Sequence, residues 1–172
     1  MGTFKVLVLP GDGIGPEVTS SAIQVLESVG KIFGHSFHFT EDVVGGAAID
    51  AFGHPLREDT IEAALASDAV LFGAVGGPKW DVGDIRPEAA ILGLRKALGL
   101  YANLRPVKVL PGTESMSAVK DDRVVGTDMI IVRELTGGLY FAKPKRRWEA
   151  STGRRGVDTL KYSESEIERI MR

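Results

Sequence analysis

The chain contains no cysteine, which excludes disulfides and thiolate metal sites. It has no run of 18 apolar residues, so no segment reads as a membrane-spanning helix. Histidine is scarce. His35, His38 and His54 fall in one polar stretch, where surface or strand-edge roles are expected rather than metal ligation. Neither sign of charge dominates: 21 Lys and Arg stand against 23 Asp and Glu, a net −2. General nucleic-acid binding usually needs a basic face, which this balance does not provide. The first residues, MGTFKVLVLPGDG, have neither the long apolar core of a secretory signal nor the arginines of a transit sequence. A soluble, cytoplasmic protein is expected. What is present is 172 residues, 44% of them hydrophobic. That is enough for one ordinary domain or two small lobes with a sizeable core.

Strand-like and helix-like segments alternate. Phe4–Leu9 reads as a strand, residues 10–16 as a tight turn, and a helix follows from Pro16, a residue suited to a helix start. Val18, Ala22, Val25, Leu26, Val29 and Phe33 share one helical stripe, and Gly34 suits the stop. Residues 37–44 alternate as a strand, 45–53 form a Gly/Ala-rich connection, 58–66 a short helix and 69–75 a buried parallel-type strand. A long loop covers 76–88, and a helix runs from about Pro87 to Leu98. Residues 101–110, 128–135 and 139–142 read as further strands. The basic stretch 143–158 is an exposed arm or a flexible loop. Such alternation indicates a parallel sheet flanked by helices.

The turn GDGIGPE, Gly11 to Glu17, approaches a dinucleotide fingerprint but does not match it. The third glycine, Gly15, comes one position early and Pro16 follows it. The acidic residue that should end the next strand is represented only by the nearby Asp42. What survives is a strand, a glycine turn and a helix start where backbone N–H groups can approach a ligand. A purely conformational need for glycine explains each position equally well.

Three arginines lie in otherwise apolar segments: Arg95 in ILGLRKAL, Arg105 in YANLRPVKV and Arg133 in MIIVREL. Guanidiniums near an apolar interior require anions, and their fork geometry suits a carboxylate. A pocket for a small di-acid is one reading, and structural ion pairs with nearby Asp or Glu are the other. The loop 76–88 follows an apolar strand and so falls at the sheet edge where α/β proteins bind ligands. It carries an exposed-looking Trp80. Glu88, Ile91, Leu92 and Arg95 then follow at i, i+3, i+4 and i+7, one helical stripe. A charged end with an apolar middle suits a substrate with an acid group and a branched aliphatic tail. Simple core packing of Ile91 and Leu92 is the alternative.

Ser163 to Glu166 forms a capping box ahead of an apolar stripe at Ile167, Ile170 and Met171, and the chain stops at Arg172. The expectation drawn from this is the front part of a longer protein.

Together, LPGDGIGPEV (9–18), GGAAIDAFG (45–53), GAVGGPKWD (73–81), IRPE and ILGLRK (85–96), ANLRPVKV (102–109) and DMIIVRELTGGLYF (128–141) resemble the β-hydroxyacid oxidative decarboxylases, the isocitrate/isopropylmalate dehydrogenase family. The resemblance implies a non-Rossmann α/β fold with a parallel or mixed sheet, flanking helices and two lobes. Residues 1–100 would begin the cofactor-side lobe. Residues 101–172 would begin the second lobe, with a dimer arm at about 138–160. It implies NAD-dependent oxidation and decarboxylation of 3-isopropylmalate to 2-oxoisocaproate, a step of leucine biosynthesis, by a homodimer that uses Mg2+ or Mn2+. By the same resemblance, Arg95, Arg105 and Arg133 grip the substrate carboxylates, and Tyr140 is the acid that protonates the enol. Ile91 and Leu92 receive the isopropyl group beside Glu88. Ile14, Gly77, Pro78, Lys79, Trp80, Asp81 and Glu88 border the cofactor. The family's catalytic lysine, metal-binding aspartates and adenine loop would lie beyond Arg172, so no metal ligand is assigned here. This polypeptide alone is therefore expected to be inactive and poorly folded. A relative acting on isocitrate, homoisocitrate or tartrate, and a non-catalytic binding subunit, are the competing readings.

Overall fold

Four consecutive aliphatics, Val6, Leu7, Val8 and Leu9, are buried, so strand β1 (Thr3–Gly11) is covered on both faces. Fully burying a side chain such as Leu7 or Leu9 stabilises by about 1.5–3 kcal/mol. In the computed structural model, which describes residues 1–82 and 84–172, β1 is the middle strand of a parallel sheet ordered β2-β1-β3. Its neighbours are β2 (Ser36–Glu41) and β3 (Ala69–Ala74). Phe4 faces Phe37 across β1–β2, and Gly11 faces Ala74 across β1–β3. Gly83, in the long loop, lies outside the described residues.

Helix α1 (Gly15–Phe33) joins β1 to β2, with Pro16 in its first turn and left-handed Gly34 as its stop. The stripe anticipated from the sequence is only partly the one that packs. Gly15, Thr19 and Gly30 are buried and Leu26 half-buried, whereas Val18, Val25, Ile32 and Phe33 are exposed. α1 thus carries two adjacent apolar stripes, and only one of them meets the sheet.

The stretch 45–53, read as a connection, is helix α2 (Gly46–Phe52), bounded by left-handed Gly53. Helix α3 (Glu58–Leu65) leads to β3, and helix α4 (Ala89–Ala97) follows the long loop. That loop contains a 3-10 turn at Pro78–Trp80. Leu7, Leu9, Val44, Ala64, Ala90 and Leu94 form the core, with Leu56, Val70, Phe72 and Leu98 packed on it.

The chain divides into two compact units, Met1–Leu98 and Gly99–Arg172. In the second, β4 (Ala102–Lys108) and β5 (Asp128–Glu134) pair antiparallel across a segment containing the one-turn helix α5 (Asp121–Val124). Residues 139–142 are not a strand. Gly138–Tyr140 form a 3-10 turn, since Gly137-Gly138 reverses the chain instead of extending it. The basic stretch is ordered as a hairpin of β6 (Arg146–Ala150) and β7 (Gly153–Val157). Helix α6 (Glu164–Met171) closes the unit, with both hydrogen bonds of the Ser163/Glu166 capping box present. Among the described residues, no helix is long and apolar enough to cross a membrane.

Candidate functional site

The parallel sheet of the first unit ends in three loops at its carboxyl edge, and one buried carboxylate joins them. Asp12 is 5% exposed and sits between Gly11 and Gly13, both at positive φ. Its Oδ2 accepts from the N–H of Gly46 at 2.7 Å and of Gly76 at 2.9 Å, and its Oδ1 from Ala47 N–H at 2.7 Å. Its own N–H donates to Ala74 O at 2.6 Å. Gly45 must be glycine, because its φ is +72° and a Cβ there would meet Asp12 Oδ2 at 2.6 Å. The glycine turn is therefore filled by its own acid, and three amides of the edge are taken before any ligand arrives. Asp42 is likewise committed: it accepts from Arg57 at 2.5 Å, Thr60 at 2.6 Å and Val43 N–H at 2.8 Å. It is not free to hold a ribose.

Ile14, at the start of α1, is 60% exposed at this edge. Gly77 precedes the 3-10 turn of Pro78, Lys79 and Trp80. Trp80 is half-buried rather than exposed; its ring packs over Gly46 and against Gly77. Lys79 Nζ pairs with Asp50 at 2.6 Å, and Trp80 Nε1 donates to the same carboxylate at 3.3 Å. Asp81 accepts from Arg86 at 3.3 Å. Glu88 is exposed, and its Oε1 lies 3.0 Å from where a Cβ on Gly76 would stand. The edge thus offers an apolar contact and a carboxylate rather than a cradle of free amides.

In α4, Ala90, Leu94 and Leu98 face the core. Glu88, Ile91, Leu92 and Arg95 occupy the adjoining face. Ile91, Leu92 and Arg95 are half-buried there, so the two aliphatics are not the residues that anchor the helix.

In the second unit, Arg133 lies opposite Asn103, and Arg105 opposite Ile131. Alternation puts both arginines on one face of the ribbon as diagonal neighbours, a separation of about 7–8 Å between backbones. Arg105 Nε donates to Asn103 Oδ1 at 2.7 Å. Arg133 donates to the Tyr140 hydroxyl, and its guanidinium lies 5.5 Å from that ring's centre. Tyr140 is 41% exposed. Among the described residues, neither Arg105 nor Arg133 meets a carboxylate. The turn that carries Tyr140 is built by Glu134, which accepts from Thr136 N–H and Oγ1 and from Gly137 N–H. Burial pushes the Glu134 carboxyl up. Hydrogen bonds from Thr136, Gly137 and Arg169 outweigh that and hold it below the usual range.

Among the described residues, no three His, Cys, Asp or Glu side chains gather as a metal-ligand group.

The isocitrate/isopropylmalate dehydrogenase family matches residues 5–172. The chain belongs to this family. It is 54% identical over its whole length to the 3-isopropylmalate dehydrogenase of Geobacillus kaustophilus, covering 47% of that protein. It is 54% identical over 99% of its length to that of Gloeobacter violaceus, covering 48% of it. Among solved structures it is similar to a beta-decarboxylating dehydrogenase of Thermococcus kodakarensis, with 36% identity and a TM-score of 0.66, covering 97% of this chain and 43% of that one. It is also similar to isocitrate dehydrogenase from Methylococcus capsulatus, with 29% identity and a TM-score of 0.69, covering 98% and 45%. The chain spans about half the length of the curated relatives it matches.

Within this family member, sequence reasoning missed Asp12, Asp50 and Glu134. Asp12 had one signal, an acid wedged between two turn glycines. Glu134 had its position before Thr136-Gly137-Gly138. Nothing local marked Asp50.

Proposed function

We propose that this chain serves as the first half of a 3-isopropylmalate dehydrogenase, an enzyme that oxidises 3-isopropylmalate with NAD and releases CO2 to give 2-oxoisocaproate. The observation that carries this reading is the pair Arg105 and Arg133 on one ribbon face, without a carboxylate against either among the described residues and with the Tyr140 hydroxyl held by Arg133. Two cations on one face are suited to a di-acid. Arg95 supplies a further guanidinium in the first unit. Ile91 and Leu92, set off the core stripe of α4, favour a branched aliphatic tail over the third carboxylate of isocitrate or homoisocitrate. A tartrate enzyme would have no use for that wall, and a non-catalytic subunit none for the placement of Tyr140.

NAD, when bound, supplies the hydride acceptor for the substrate's C2. Ile14, Gly77, Pro78, Lys79, Trp80, Asp81 and Glu88 border its reactive end. The arginines bind and orient the substrate carboxylates and offset their charge. Once CO2 has left, Tyr140 gives its hydroxyl proton to the enol carbon. The guanidinium of Arg133, donating to the same oxygen, leaves that proton free to point at substrate and stabilises the phenolate left behind. A divalent metal with ligands outside this chain, a homodimer joined through the β6–β7 hairpin and a cytoplasmic location complete the reading.

In the full-length enzyme, Arg133→Ala should cost about 2–4 kcal/mol of transition-state binding, roughly a 30- to 700-fold fall in kcat/KM for 3-isopropylmalate. Steady-state kinetics on a panel of 3-isopropylmalate, isocitrate and tartrate check both claims. An unchanged kcat/KM in the variant, or a preference for isocitrate in the parent, removes the reading.

A further inference from the structure

We propose that Asp12 and Asp50 are positioning residues for the cofactor loop: Asp12 fixes where the loop leaves β3, and Asp50 fixes its first turn. The inference rests on the reading that Gly77–Asp81 border the nicotinamide end of NAD.

Asp12 does three things with one buried carboxylate. It accepts from Gly46 and Ala47, the first amides of α2, a helix with no side-chain cap of its own. It also accepts from Gly76, the first residue after Val75 at the mouth of the loop. Strand β1, helix α2 and the exit of β3 are thereby pinned to one point. The pin is passed forward by contact. Gly46 forms the floor under the Trp80 ring, where any Cβ would collide with it, and Gly76 lies beside Glu88. Asp50, three residues beyond Ala47 on α2, then takes Lys79 and the Trp80 indole N–H. Two of the three residues of the 3-10 turn are therefore held to α2, and α2 is held to Asp12. The negative charge of Asp12 is spent on three N–H dipoles inside the protein, so it orders the loop without repelling an anionic cofactor. Neither carboxylate needs to touch NAD for this.

The test is made in the full-length enzyme. Asp12→Asn keeps the shape but turns one acceptor into a donor facing an amide. Asp50→Ala, at an exposed site away from the core, is the second variant and decides the matter if the first does not fold. The readouts are the separate KM values for NAD and for 3-isopropylmalate, kcat, and acrylamide quenching of Trp80, taken as the difference between each protein and its Trp80→Phe counterpart. The expected result is a KM for NAD raised about tenfold, with the KM for the hydroxy acid unchanged, kcat little altered and Trp80 more readily quenched. Trp80 loosened with an unchanged KM for NAD would overturn the proposal through its premise, because the loop would then not border the cofactor. Trp80 unmoved and KM for NAD unchanged in both variants would overturn the staple itself. Equal losses for both substrates with a collapsed melting transition in Asp12→Asn, and no effect in Asp50→Ala, would reduce Asp12 to an ordinary structural acid.

Discussion

Asp42 is one residue through which acid sensitivity enters the first unit. Burial pushes its carboxyl up, and hydrogen bonds from Thr60, Val43 and Arg57, with the Arg57 charge, outweigh this and hold it below the usual range. A carboxyl lowered by folding adds stability that is fully present above the unfolded value and is lost as pH falls through the folded one. In an acid titration followed by circular dichroism, the parent should therefore lose stability below the normal carboxylate range, and Asp42→Asn should show a shallower dependence there. A parallel pH profile in both proteins would contradict this. At the same scale, the three arginines were legible because charge in an apolar segment is visible in one dimension. Asp12 was not, since its partners lie 34 to 64 residues away and only folding brings them together.

Among the elements, α1, α3, α4, β1, β3 to β5 and the α6 cap could be read from pattern, to within a residue or two at their ends, whereas β2 was read through to Val44 and ends at Glu41. Helix α2 could not. Seven residues, GAAIDAF, are too few to display a 3.6 period, and their flanking glycines imitate a loop. The β6–β7 hairpin was hidden for the opposite reason: Arg, Lys and Gly give no apolar alternation, and its order comes from backbone pairing and the turn at Gly153, φ +106°. The capping box of α6 makes a checkable element. Ser163 accepts from Glu166 N–H while Glu166 accepts from Ser163 N–H. Ser163→Ala should destabilise by about 1 kcal/mol, read as a lowered midpoint in urea denaturation of the full-length protein. The loss should spread to the Tyr140 turn, because Arg169 on α6 donates to Thr136 and pairs with Glu134. An unchanged midpoint would show the cap to be idle.

For the whole molecule, the apolar surface left open is the governing fact. Val18, Val25, Ile32 and Phe33 on α1, and Leu104, Ile130, Ile131 and Val132 on the β4–β5 ribbon, all stand exposed. Two-stranded ribbons are marginal in water, and contiguous apolar patches of this kind are unusual on stable monomers. A polypeptide of these 172 residues alone should therefore bind the dye ANS and unfold without a sharp transition, whereas the full-length protein should do neither. A cooperative melt of the short chain would refute this. The ribbon has one more consequence. Arg105 and Arg133 share one of its faces and, among the described residues, neither pairs with a carboxylate, so like charge opposes like across it. On the proposed reading, a substrate oxyanion would supply the charge that this strand pair lacks.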